Sequence, residues 1–161
     1  MAIKVGDRLP ADVKLKEMGE SGPKDVSVGE VCKGKTVVLF AVPGAFTPTC
    51  SMKHLPGFVE QAGDIKAKGV DEIVCVAVND AFVMGAWGEA HHAKGRVRLL
   101  ADGNAEFTKA IGLTLDASGF GMGMRSQRYV MVVKDGVVQQ LQVEPGPGLS
   151  VSSAEAVICA L

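Results

Sequence analysis

The sequence predicts an α/β protein in which a central mixed sheet is flanked by helices. Three observations lead there: short apolar β-rich runs, helical periodicity between them, and a change to a hairpin pattern towards the C-terminus. Thr36–Val42 is the first run, bounded by Gly34 and by Pro43-Gly44, and reads as a strand buried on both faces. Residues 72–78 repeat the pattern and stop at Asn79-Asp80; residues 97–101 give a third strand. Residues 48–68 place Leu55, Phe58, Val59, Ala62 and Ile65 at helical spacing, with Gly69 as a C-terminal cap. Pro56 is expected to bend or split this helix. Residues 81–93 read as a second helix N-capped by Asp80, and 104–111 as a short third. Beyond a Gly-rich loop at 117–124, runs at 129–133 and 137–143 flank Lys134-Asp135-Gly136, a hairpin signal. Residues 145–148 read as a loop and 152–160 as a closing helix. Alternating βα units imply parallel strands, and the hairpin adds an antiparallel edge. No repeat or linker divides the chain, so residues 1–161 are expected to form a single domain.

Composition narrows the function. A net charge of −1 without a long basic run argues against a nucleic-acid partner. No apolar stretch approaches a membrane span. The start, Met1-Ala2-Ile3-Lys4, lacks a secretory h-region, so a cytoplasmic site is expected, an organelle being open if a transit peptide has been removed. Cysteines at 32, 50, 75 and 159 form no CxxC, and no close Cys/His pairing suggests zinc, so no metal is expected. The cysteines read as free thiols.

One of them is placed for chemistry. In Pro43-Gly44-Ala45-Phe46-Thr47-Pro48-Thr49-Cys50-Ser51, a buried strand gives way to a helix. Thr47 suits the N-cap and Pro48 the first helical position, which puts Cys50 in the first turn. There its sulfur lies near unpaired N–H groups and the positive end of the helix, an environment that favours a thiolate. Such a sulfur can attack an electrophile, although an inert buried thiol would leave the same local pattern. Thr47 precedes Cys50 by one helical turn, so both can face one small pocket.

The same run resembles the active-site signature of the peroxiredoxins, and its extension Cys50-Ser51-Met52-Lys53-His54-Leu55-Pro56-Gly57-Phe58 is similar to the type II plant and peroxiredoxin-5 subgroup. The likeness continues through Lys66-Ala67-Lys68-Gly69, Val78-Asn79-Asp80-Ala81-Phe82-Val83, Val97-Arg98-Leu99-Leu100-Ala101-Asp102 and Arg125-Ser126-Gln127-Arg128-Tyr129. It implies a thioredoxin-like fold and a thiol peroxidase that needs no cofactor. Cys50 would be the peroxidatic nucleophile, oxidised to a sulfenic acid by hydrogen peroxide or an organic hydroperoxide. Thr47 would bond the peroxide, Pro43 shield the sulfur and Arg128 supply a fixed positive charge. Gly44, Phe46, Thr49 and Phe120 would contact substrate, with Met122 a further candidate on the Gly-rich loop. The implied partners are a thiol reductant (glutaredoxin, glutathione or thioredoxin) and a second copy in a non-covalent homodimer.

Cys75 occupies the place of the second cysteine of the plant type II enzymes and is the candidate resolving thiol. Its apolar neighbours Ile73, Val74 and Val76 instead suggest an inert core thiol. The resolving cysteine of the animal branch is missing, Val151 standing there. Cys32 is expected in a turn, His54 on a solvated or locally paired helix position, and Trp87 and Phe82 in packing or an interface.

Overall fold

A computed structural model of the chain describes residues 2–146 and 148–161. Among these residues β1 (Lys14–Gly19), β2 (Gly22–Ser27), β3 (Thr36–Val42), β4 (Glu72–Ala77), β5 (Arg98–Ala101), β8 (Tyr129–Lys134) and β9 (Val137–Val143) form one sheet in the order β2-β1-β5-β4-β3-β8-β9, and β6 (Thr114–Asp116) with β7 (Met124–Ser126) forms a separate two-stranded ribbon. β3, β4 and β5 run parallel, because helices carry the chain back between them. β8 pairs antiparallel with both β3 and β9, and Asp135 and Gly136 take positive φ in the connecting turn. The expected mixed sheet with an antiparallel edge is present.

Strand alternation divides the core in two. Val38, Phe40, Val42, Ile73 and Cys75 face one layer of helices: α2 (Leu55–Glu60), α3 (Ala62–Ala67), α4 (Ala81–Ala90) and α6 (Ala154–Ala160). Val37, Leu39, Ala41, Val74 and Val76 face the other, where α1 (Val28–Cys32) and α5 (Glu106–Ala110) pack. Asp80 caps α4 through the Val83 N–H at 2.8 Å, as the sequence implied, and Ser153 caps α6. Of the expected 145–148 loop, Pro147 lies outside the described residues.

Several expectations are corrected. The hairpin of β1 and β2 extends the sheet beyond β5 and left no clear pattern, since Leu15 and Val26 are its only buried side chains. Cys32 ends helix α1 rather than sitting in a turn, and its buried thiol is pushed up to about 11 by burial and by nearby Glu72. The helix expected over 48–68 is not continuous. Cys50–His54 is a π-helical turn closed by the Leu55 N–H on the Cys50 carbonyl, and the break falls at Gln61, between α2 and α3. Pro56 lies near the start of α2, where a missing N–H is best tolerated.

Helix α4 lies close on the sheet at two glycines. A Cβ at Gly85 would come within 2.9 Å of Met18 Cγ, and one at Gly88 within 2.8 Å of the terminal Leu99 Cδ1. Leu99 can swing away, whereas the Met18 stem cannot without moving β1. Gly85→Val is therefore expected to cost about 1–3 kcal/mol in urea unfolding, and more than Gly88→Ala.

Candidate active site

The site forms where the C-terminal end of β3 meets the N-terminal end of β8. Antiparallel pairing sets Ala41 opposite Tyr129, so the loop leaving β3 and Arg128 arrive at the same sheet edge. The loop is held at each step. The Ala45 N–H donates to Asn79 Oδ1 at 2.9 Å. Phe46 is left-handed (φ 64°), a strained conformation for a non-glycine residue. The Thr47 hydroxyl donates to the Gly44 carbonyl at 2.7 Å. Thr47 holds the N-cap position, its carbonyl accepting the first helical bond from the Ser51 N–H at 2.9 Å, but its hydroxyl turns back onto the loop instead of capping the turn.

Cys50 follows in the first helical turn and is fully buried. Arg128, 7% exposed, donates from Nη2 to Cys50 Sγ at 3.0 Å and from Nη1 to His54 Nδ1 at 2.8 Å. Among the described residues no carboxylate forms an ion pair with this guanidinium. His54 is also buried, and its Nε2 lies 2.9 Å from the Ser152 carbonyl oxygen. It is thus neither solvated nor locally paired, because its partners come from β8 and from the segment before α6. Phe40 and Phe58, stacked at 4.0 Å, wall the imidazole at 4.8 and 5.6 Å.

Ser152 is anchored in turn. The Glu144 N–H extends the β8–β9 ladder by donating to the Arg128 carbonyl at 2.9 Å. Its carboxylate accepts from the Ser150, Val151 and Ser152 N–H groups and from both serine hydroxyls, at 2.7–2.9 Å. Burial pulls the Glu144 pKa upward, but the bonds from Ser152 and Ser150 outweigh it and hold the group at about 2. His54 is lowered to about 3, first by burial and then by the Arg128 charge.

The remaining candidates separate clearly. Pro43 and Gly44 line the loop, and Thr49 is half-buried in the first helical turn. Arg125, three residues before Arg128, ties the Gly-rich loop to the site: Nε donates to the Met122 carbonyl at 2.9 Å, and Nη1 reaches the Pro43 carbonyl at 3.5 Å. Gly44 leaves room for this contact, since a Cβ there would lie 3.1 Å from both Arg125 Nη1 and Met122 Cε. Phe46 and Phe120 are 55% and 86% exposed. Cys75 is buried in the core cluster that holds Cys50, and burial, with the nearby Cys50, raises its pKa well above the usual thiol range. Cys159 is exposed on α6. Trp87 is fully buried and donates to Ser51 Oγ at 2.9 Å, so it packs beside the site, whereas Phe82 is 66% exposed.

The redoxin family model matches residues 4–158. Peroxiredoxin-2E-2, chloroplastic, of Oryza sativa subsp. japonica is 52% identical over 99% of this chain and 72% of its own length. Peroxiredoxin-2B of Arabidopsis thaliana is 47% identical over 99% of this chain and 98% of its own. The chain belongs to the redoxin family, among the peroxiredoxins. Membership makes it an enzyme, a thiol-dependent peroxidase of antioxidant function. Reduced Prx3 of Vibrio vulnificus, solved in complex with hydrogen peroxide, superposes with a TM-score of 0.93 at 52% identity, covering 98% of both chains. The thioredoxin-like α/β fold of the peroxiredoxins is therefore the fold of this chain. Its relatives include chloroplastic and other forms, and no helix among the described residues is long and apolar enough to cross a membrane.

The depressed His54 pKa carries a stability consequence. Between its ordinary 6.5 and about 3, the unfolded peroxiredoxin binds a proton that the folded one refuses. Stability therefore falls as pH drops through that window, by an amount on the order of a few kcal/mol. Glu144 adds loss of the same sign only below its ordinary 4.5. Urea midpoints between pH 6.5 and 4.5 are expected to fall steeply for the wild type and less for His54→Asn.

Proposed function

We propose that Cys50 is the peroxidatic nucleophile and that the surrounding groups align and polarise the peroxide. The observation that carries this reading is the 3.0 Å contact from Arg128 Nη2 to Cys50 Sγ. A guanidinium has donors only, so it holds this contact best when the sulfur is an anion. The anion attacks one peroxide oxygen in line; an S–O bond forms and the O–O bond breaks. Cys50 becomes a sulfenic acid, and the departing oxygen leaves as water or an alcohol once protonated. Thr47 has committed its hydroxyl hydrogen to Gly44, so its oxygen is free to accept the peroxide O–H. Arg128 and the first-turn N–H groups meet the negative charge that develops on the leaving oxygen. Pro43, Gly44 and Thr49 shape the entrance. Phe46 and Phe120, both turned outward, would meet only the outer part of a larger hydroperoxide.

Two external thiols then reduce the sulfenic acid, releasing water and a disulfide. Glutathione, glutaredoxin or thioredoxin supplies them, because Cys75 is buried and its thiol is held protonated. No cofactor takes part in this scheme. The chain acts as one domain, 1–161, in the cytoplasm. A second copy covers the exposed apolar side chains Phe46, Met52, Phe82 and Phe120, which lie on the loops and helix starts around the site, in a non-covalent dimer.

Steady-state peroxide consumption with a thiol donor tests the assignment. Cys50→Ser is expected to reduce the rate to background. Arg128→Lys, which lacks the second donor of the fork, is expected to lose about 10²-fold in kcat/KM. Cys75→Ala is expected to leave turnover with glutathione and glutaredoxin intact; loss of reduction with normal first-step oxidation would make Cys75 the resolving thiol instead. Sedimentation equilibrium is expected to show a dimer, and Phe46→Asp to weaken it.

A further inference from the structure

We propose that His54 is a positioning residue: the lone pair on its Nδ1 fixes the Arg128 fork so that Nη2 faces Cys50 Sγ. This rests on the reading of Cys50 and Arg128 given above and assigns a role to a buried group that the reaction scheme leaves unused. Donors must meet acceptors at both ends of the guanidinium. Arg128 has no acceptor to offer, so the 2.8 Å contact requires an unprotonated Nδ1. The ring proton must then sit on Nε2, which faces the Ser152 carbonyl oxygen at 2.9 Å. Only one tautomer satisfies both neighbours. An imidazolium would set Nδ1–H against Nη1–H and add a second buried positive charge. The depressed pKa of His54 agrees with this arrangement.

The ring is buried and has a partner at each nitrogen. The stacked pair Phe40 and Phe58 packs against it at a tilt, and Ser152, its second partner, is held by two bonds to Glu144. The same Glu144 is paired through its backbone with Arg128. The two ends of the guanidinium are therefore unequal. Nη1 is bound to a fixed nitrogen, and Nη2 is left to the sulfur. Without an acceptor at Nδ1, a buried N–H of Arg128 is orphaned, and the fork can rotate to seek another partner.

Two isosteres separate the two nitrogens. His54→Asn places an amide oxygen near the Nδ1 position and gives up the Ser152 bond. His54→Gln reaches towards the Nε2 position and gives up the Arg128 bond. The readout is the second-order rate of Cys50 oxidation by hydrogen peroxide in a single turnover, taken alongside the melting temperature. The expected result is that Asn retains most of the rate, while Gln loses about 10²-fold even where their melting temperatures match. Equal losses, or a faster Gln variant, would overturn the proposal. If Arg128→Lys also kept its full rate, the failure would belong to the underlying assignment of Arg128 instead. Histidine ring 15N NMR of the wild-type protein needs no variant. It is expected to show a protonated Nε2 and a bare Nδ1 at neutral pH, and a proton on Nδ1 would refute the role.

Discussion

A guanidinium buried to 7% exposure without a carboxylate partner is expensive unless another acceptor meets it. Arg128 satisfies that demand with two unusual acceptors, a cysteine sulfur and an imidazole nitrogen. Both come from the one π-helical turn that follows the loop after β3. The strand order, the strained loop and the segment before α6 all converge on this cation. The sheet supplies the frame: β8 is antiparallel to β3, so the start of one strand and the end of the other share an edge. Had β8 run parallel, Arg128 would have emerged at the opposite end of the sheet.

Placement of charge also explains why the four cysteines differ. Cys50 faces a fixed cation. Cys75, on β4 in the same cluster, is surrounded by apolar strand neighbours, and burial raises its thiol. Cys32 lies beneath the other face and is raised as well, with Glu72 adding to the effect. Cys159 is exposed on the last helix. What sets each thiol apart in this chain is the set of side chains around its sulfur.

Regular elements were legible where local pattern and final environment agreed. Strands β3, β4 and β8 announce themselves through apolar runs, β9 through the hairpin signal at Lys134-Asp135-Gly136, and helix α4 through Asp80. The β1–β2 hairpin did not, because an edge strand with one buried side chain carries almost no alternation. The π turn at Cys50–His54 was equally silent: it differs from an α-helix by one residue of bonding, and side-chain periodicity over five residues cannot report that. His54 could be placed four residues beyond Cys50, but not beside Ser152, 98 residues away in sequence.

The amino-acid order alone determined that a cysteine opens a helix after a buried strand, with a threonine and a proline just before it. It also specified the family, because an extended run of identities is local information. What it could not determine was which distant groups complete the site. Arg125 and Arg128 are nearly equivalent in the sequence, yet one latches a loop and the other faces sulfur. Strand pairing settled that difference. Arg125 lies on β7 of the small ribbon, opposite Leu115, whereas Arg128 immediately precedes β8, whose pairing with β3 brings it to the edge where the Cys50 loop leaves the sheet.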